Sequence, residues 1–326
     1  MLGSTTACLD PSPATDETAS ALTASSAADR AQIALRWAPV HFQDVDQTGS
    51  HALGGQSDYL VAYDFDGNLN GRDNWDHAGN AAFPMRATVY YSVVETSTHW
   101  FLVYLFFHAR DWTDSFFDTE HENDAEGVMF AVRRDGSTFG QLQAAVTVAH
   151  TDFFSFVPST SAWTSGGETV DGALQMMTLS DGAHPVTAQQ AKGHGCKARP
   201  FYDIVGDGIE YFPSLTTAGV PTNPDDRNVS YQLVDILAPG GMWDQRANTS
   251  LFASFGSFAG DTTGGCGSGA ISCTTNSANA PWGWDDHDDV PPRGALATDP
   301  AGLVRAYFTT PETVSTAYTF NPFTSP

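Results

Sequence analysis

Lysine is almost missing from this chain of 326 residues, where Lys192 and Lys197 are the only two. Basic residues number 14 against 38 acids, for a net charge of −24. A surface so acidic repels phosphate backbones, which excludes a nucleic-acid partner. No apolar run reaches the roughly 18–20 residues that span a bilayer. The longest, Trp100 to Phe107, has the length of a strand. Cysteine is scarce as well, with Cys8, Cys196, Cys266 and Cys273 alone. No C-x-x-C pair exists, so the usual zinc-knuckle spacing is excluded. The chain also lacks G-x-S-x-G, a P-loop and a G-x-G-x-x-G turn, so a serine elbow and nucleotide-binding loops find no support.

What the cysteines do allow is a disulfide. Cys266 and Cys273 bracket a short Gly-rich loop that closes easily, and such a pair implies an oxidising compartment. A Cys8–Cys196 pairing is a further option. Residues 1–32 are rich in Ala, Ser and Thr and read as a disordered leader or tether, with one domain over 33–326. Residues 1–20 lack the basic and apolar regions of an intact signal peptide. Cys8 offers a lipid-anchor position, although Thr5-Thr6-Ala7 is a poor lipobox. The expectation is a secreted or cell-envelope protein.

Aromatic residues are plentiful, with 21 Phe and 8 Trp. Arg86 to Val94 and Trp100 to His108 are β-branched and aromatic runs separated by a short polar turn, which predicts a hairpin. Glu126 to Arg133 and Gln141 to His150, joined through Arg134-Asp135-Gly136, predict a second. Further strands are expected near Val40, over TDFFSFV, within HPVTAQQAKGHGC, and over GIEYFP and VSYQLVDIL. Short helices are expected at Gly302 to Phe308 and Met242 to Asn248. The fold class is all-β: an antiparallel β-sandwich with long loops and a few short helices.

The stretch with most chemistry is Asp111 to Glu126, DWTDSFFDTEHENDAE. It contains His121-x-x-Asp124-x-Glu126, with Asp111, Asp114, Asp118 and Glu120 upstream. One imidazole among several carboxylates suits Mg, Ca, Mn or Zn, and the oxygen-rich balance leans towards Ca or Mg. The same residues would also suit a solvated polar loop. A second acidic loop, Asp64-x-Asp66-x-Asn68-x-Asn70 with Asp73 beyond, has alternating oxygen donors like a calcium loop. Its glycines do not fall where an EF-hand needs them. His150 and His194 are candidates for a general base or an additional ligand. Trp282 and Trp284 with Asp285, Asp286, His287, Asp288 and Asp289 form another acidic cluster that could hold calcium or stack on a sugar.

YLFFHARD, followed by H-x-x-D-x-E and a short strand, resembles the necrosis-inducing NPP1-like (NLP) proteins. That family carries an aromatic strand ending in Asp and then a GHRHDWE heptapeptide. The resemblance implies a divalent metal bound by Asp111, His121, Asp124 and Glu126, with Asp114, Asp118 and Glu120 left to solvent. It also places His150 where the family has its SAHGGY segment. The Vps62-like β-sandwich proteins are similar at further points: Trp37-Ala38-Pro39-Val40, Tyr90-Tyr91, Ala191-Lys192-Gly193-His194-Gly195 and Pro281-Trp282-Gly283-Trp284-Asp285. Together these cover residues 33–310. The departures are specific. Glu120, Asn123 and Ala125 replace the heptapeptide's first Gly, second His and Trp, and the Asp-to-His spacing is two residues longer. The metal site therefore transfers more safely than the toxic activity.

Three functions follow. The first is a secreted metal-binding protein that captures a glycan or lipid headgroup, with cytolysis as an associated activity. The second is a metal-dependent hydrolase using metal-activated water. The third is an envelope protein whose loops calcium staples.

Overall fold

The computed structural model describes residues 24–115, 118–199, 201–202, 204, 206–262, 273–275, 277–289 and 291–324. Cys266 and Cys8 lie outside these residues, and with them the proposed Cys266–Cys273 disulfide, the Cys8–Cys196 pairing and the Cys8 anchor. Helix α1, Ala27–Trp37, opens the described chain. Ser26 and Asp29 cap it reciprocally, and Ile33, Ala34 and Trp37 face the core. Ordered structure thus starts upstream of Ile33. Pro39 follows the helix, and strand β1 spans Val40–Asp44. A four-residue helix, α2, covers Asn74–His77.

The centre of the molecule is an antiparallel meander. It comprises β2 (Thr88–Thr96), β3 (His99–Asp111), β4 (Glu120–Arg133), β5 (Gln141–Ala149) and β6 (Asp152–Val157). Every residue of β2 is buried, and nearly every residue of β3 and β4. Burial on both faces explains why these strands read as continuous apolar runs. Short strands follow: β7 (Thr164–Ser165), β8 (Val170–Ala173), β9 (Met176–Leu179), β10 (Gly182–Gln189), β11 (Cys196–Ala198), β12 (Gly208–Ser214) and β13 (Val229–Asp235).

The largest sheet runs β11-β10-β1-β12-β13-β2-β3-β4-β5-β6-β8. It curls so that β11, at one end, packs on β5 and β4. The β-rich class and low helix content agree with expectation; the antiparallel sandwich does so only in part. The sheet is mixed, because β1 with β10, β12 with β13, β13 with β2 and β6 with β8 all pair in parallel. Apolar alternation records which faces are buried. It carries no information on strand direction when the partner is distant in sequence.

Two local differences matter. Half of Asp111 to Glu126 is strand: β3 continues to Asp111, β4 starts at Glu120, and Asp111 pairs directly with His121. Met242 to Asn248 forms consecutive turns instead of a helix. In the last third, Pro300–Tyr307 is helical and is capped by the Asp299 side chain, which accepts from the Gly302 N–H.

Candidate metal centre and cleft

The four sequence-selected residues lie on the two longest strands. A regular strand sends residues three apart to opposite faces. Asn123 interrupts that alternation with φ of 59°. Asparagine tolerates the left-handed region better than most residues. Its amide donates to the carbonyls of Gly71 and Ala259, at 2.8 Å each, and its Oδ1 accepts from Asn74 at 2.6 Å. The break lets His121 and Asp124 act on one another. Glu122 instead reaches the opposite side, where it accepts from the Trp75 and Asp261 N–H groups.

His121 Nε2 lies 3.2 Å from Asp111 Oδ2. Burial opposes a charged ring there, but Asp111, with Asp124 behind it, raises His121 to about 9. Asp124 Oδ1 accepts from the Ala125 N–H at 2.8 Å, and Oδ2 faces His194 Nδ1 at 2.9 Å. Glu126 is buried, and its oxygens accept from the backbone N–H groups of His150, at 2.6 Å, and Cys196, at 3.0 Å. Burial and the nearby Asp124 push its carboxyl well above the ordinary range. Cys196 itself is buried and has no disulfide partner among the described residues.

His194 is fully buried, with Nδ1 on Asp124 and Nε2 on Asp58 Oδ1 at 3.2 Å. Both nitrogens face carboxylates, so the ring is an imidazolium. Burial works against that charge, but Asp124 and Asp58 outweigh it and raise His194 to about 10. Its ring stacks on His108 at 3.7 Å with an interplanar angle of 2°. Burial, together with the charge of His194, holds His108 well below its ordinary value and neutral. His194 therefore positions Asp124 and is not accessible as a base. His150 is the reverse: its side chain is 51% exposed, with Nδ1 3.5 Å from Glu126.

The residue that sequence reasoning missed is Asp58. It is fully buried and accepts from the Asp46 N–H at 2.8 Å, Trp112 Nε1 at 2.8 Å and the Lys192 N–H at 2.9 Å, besides facing His194. Nothing local marks Asp58, because its donors come from three other segments. Glu120 is also buried, contrary to the solvated role expected. It accepts from the Thr113 N–H at 3.1 Å and meets His51 Nδ1 at 2.6 Å. Asp114 is engaged by Lys192 Nζ at 2.7 Å, while Asp118 is exposed.

Above this cluster opens a cleft of about 1000 Å³. Asp46, Asp111, Trp112, His150, Gln190 and Lys192 contribute to its walls. Lys192 Nζ bridges Asp46 and Asp114 and sits 5.3 Å over the Trp112 ring. Asn123, His150, Lys192 and His194 all adopt positive φ, and Leu53 is the one other non-glycine among the described residues to do so. Such concentration of costly backbone is a mark of functional sites.

The donor set suits a hard divalent cation. Asp111, Asp124 and Glu126 offer oxygen and His121 nitrogen, but no three of them bring ligand atoms within 4.8 Å of one another. Asp58, Asp111 and Asp124 together outnumber the cationic His121 and His194. That excess of carboxylate in a largely buried place is an electrostatic reason for a cation. In this structure the donors are paired with one another, Asp111 with His121 and Asp124 with His194. The second acidic loop brings Asp66 and Asp73 together with His77. Asp64 is exposed there, and Asn70 turns its amide oxygen to the Arg72 N–H. In the third cluster Asp286 accepts from the Phe153 N–H and the Tyr307 hydroxyl.

No protein-family model and no curated protein matches this sequence. The chain is similar to solved NLP structures. NLPPya in complex with glucosamine matches with a TM-score of 0.34 and 13% identity, over 80% of this chain and 87% of that one. NLPPya in complex with mannosamine has a TM-score of 0.35, with the same identity and coverage. The non-toxic HaNLP3 protein matches at 0.32 and 10% identity, over 65% and 77% of the two chains. Likenesses of this size carry no argument about what the chain binds.

Proposed function

We propose that this protein binds a hydroxyl-rich polar ligand, a glycan or a polar lipid headgroup, at a divalent cation held by Asp111, His121, Asp124 and Glu126. The observation that carries the reading is the open cleft beside Asp111 and His150, walled by carboxylates, amides, a lysine and an aromatic face. Hydroxyl groups are matched by such acceptors and donors, and sugar rings by an indole. A cation such as Ca or Mg would complete the site by accepting ligand oxygens in open coordination positions. The acidic surface supports a secreted or envelope location. No helix among the described residues is long and apolar enough to cross a membrane. Lysis of membranes that display the headgroup is the consequence to test.

The experiment is calorimetric titration of the full chain with Ca, Mg and Mn, then with glucosamine, mannosamine and headgroup-bearing vesicles. Glu126→Ala should lose both metal and ligand. Glu126→Gln, which keeps an acceptor for the backbone N–H groups, separates site loss from misfolding. Ligand binding that survives Glu126→Ala in a folded protein would sink the proposal.

A second reading has one specific support. His150 is exposed at the cleft and backed by Glu126, the arrangement of an oriented general base. A metal-dependent hydrolase would then turn over phosphoester, ester or glycan substrates only without chelator. His150→Ala would remove that turnover and leave metal binding intact.

A further inference from the structure

The loop between Tyr63 and α2 carries a cluster that the cleft does not use. Ligand atoms of Asp66, Asp73 and His77 lie within 4.8 Å of one another. His77 Nδ1 meets Asp66 Oδ2 at 2.6 Å, and the Asp66 side chain is only 1% exposed. Asp73 stands four residues before His77, whose N–H donates to the Asp73 carbonyl at 3.1 Å. One oxygen of Asp73, Oδ1, is shut off from solvent and has no hydrogen-bond partner. A buried carboxylate oxygen without a donor is expensive, and it stands beside a second carboxylate and an imidazole. Asn68 donates its amide into both carboxylates, to Asp66 Oδ2 at 2.6 Å and Asp73 Oδ2 at 3.3 Å. Turned end for end, that amide would present oxygen instead.

We infer that Asp66, Asp73 and His77 form a second divalent-cation site, separate from the cleft, with Asn68 as an additional oxygen donor. The imidazole moves the preference from calcium towards ions that accept nitrogen, zinc or manganese. The ion would brace α2. Its Asn74 donates to Asn123, so the second site would stiffen the residue that sets the geometry of β4.

The test is titration of metal-free full chain with Zn²⁺, Mn²⁺ and Ca²⁺. Zn²⁺ or Mn²⁺ should bind at a site that persists in Glu126→Gln. His77→Gln should weaken that site by at least about tenfold, and Asp66→Asn/Asp73→Asn should lower the stoichiometry by one ion per chain. His77 is partly exposed, so its substitution reads the site even if the double variant does not fold. Unchanged Zn²⁺ and Mn²⁺ affinity in folded His77→Gln would overturn the inference. Failure of the cleft to bind metal would leave the Zn²⁺ result intact, so the two readings fail separately.

Discussion

Replacing Asp58 by alanine tests whether the cleft and its floor are held by one buried carboxylate. Asp58 receives the Asp46 and Lys192 backbone N–H groups, the Trp112 indole and the His194 imidazolium. The substitution removes the fully buried acceptor of all four donors. Each unsatisfied buried donor costs roughly 1–3 kcal/mol, though not additively. Removing one member of a buried charge pair costs about 3–5 kcal/mol, which sets the expected loss here. At about 2–4 °C per kcal/mol for larger chains, the midpoint falls by roughly 6–20 °C. Urea unfolding and thermal melting followed by circular dichroism measure it. Asp58→Asn keeps the volume and one acceptor and should fall between wild type and alanine. A loss for Asp58→Ala within about 0.5 kcal/mol, the range of surface substitutions, would refute the hub role.

Stability should also depend on pH. His121 and His194 are raised from 6.5 to about 9 and about 10, so their contribution is complete below 6.5 and disappears as pH rises through those values. Chelator-treated protein should therefore unfold in less urea at pH 10 than at pH 7, and a flat profile would contradict the charged pairs. Asn123→Ala should destabilise more than Asn123→Gly, by about 1 kcal/mol, because alanine at positive φ adds backbone strain; equal losses would show that the side-chain bonds alone matter. Gly127→Ala would place a Cβ 2.0 Å from the Tyr104 carbonyl oxygen and 2.8 Å from the Trp284 ring. Backbone cannot yield as a side chain can, so a loss of about 3 kcal/mol or more is expected in the same melts.

Much of the architecture was legible from local pattern. The β2–β3 hairpin announced itself because both strands are buried on both faces and so are apolar throughout. The helix at Pro300–Tyr307 was legible too, from a short apolar periodicity. The capping box at Ser26 and Asp29 was legible in principle, but it was masked by the small-residue composition around it. The fate of Met242 to Asn248 was not legible, since turns and short helices share the same composition.

The candidate site divides the same way. The choice of Asp111, His121, Asp124 and Glu126 as candidate cation ligands came from the resemblance of their motif to that of the NLP proteins. Sequence alone also determined the acidity of the chain, a net charge of −24. Only the tertiary structure decided that His194, 70 residues from Asp124, is locked between two carboxylates as a positioning group. It alone revealed Asp58, Glu120 and His77 as partners, and the mixed direction of the sheet. The physical reason is common to all of these. Local pattern encodes which face of a strand is buried, whereas strand direction and the pairing of buried charges depend on which distant segments meet when the sheet curls.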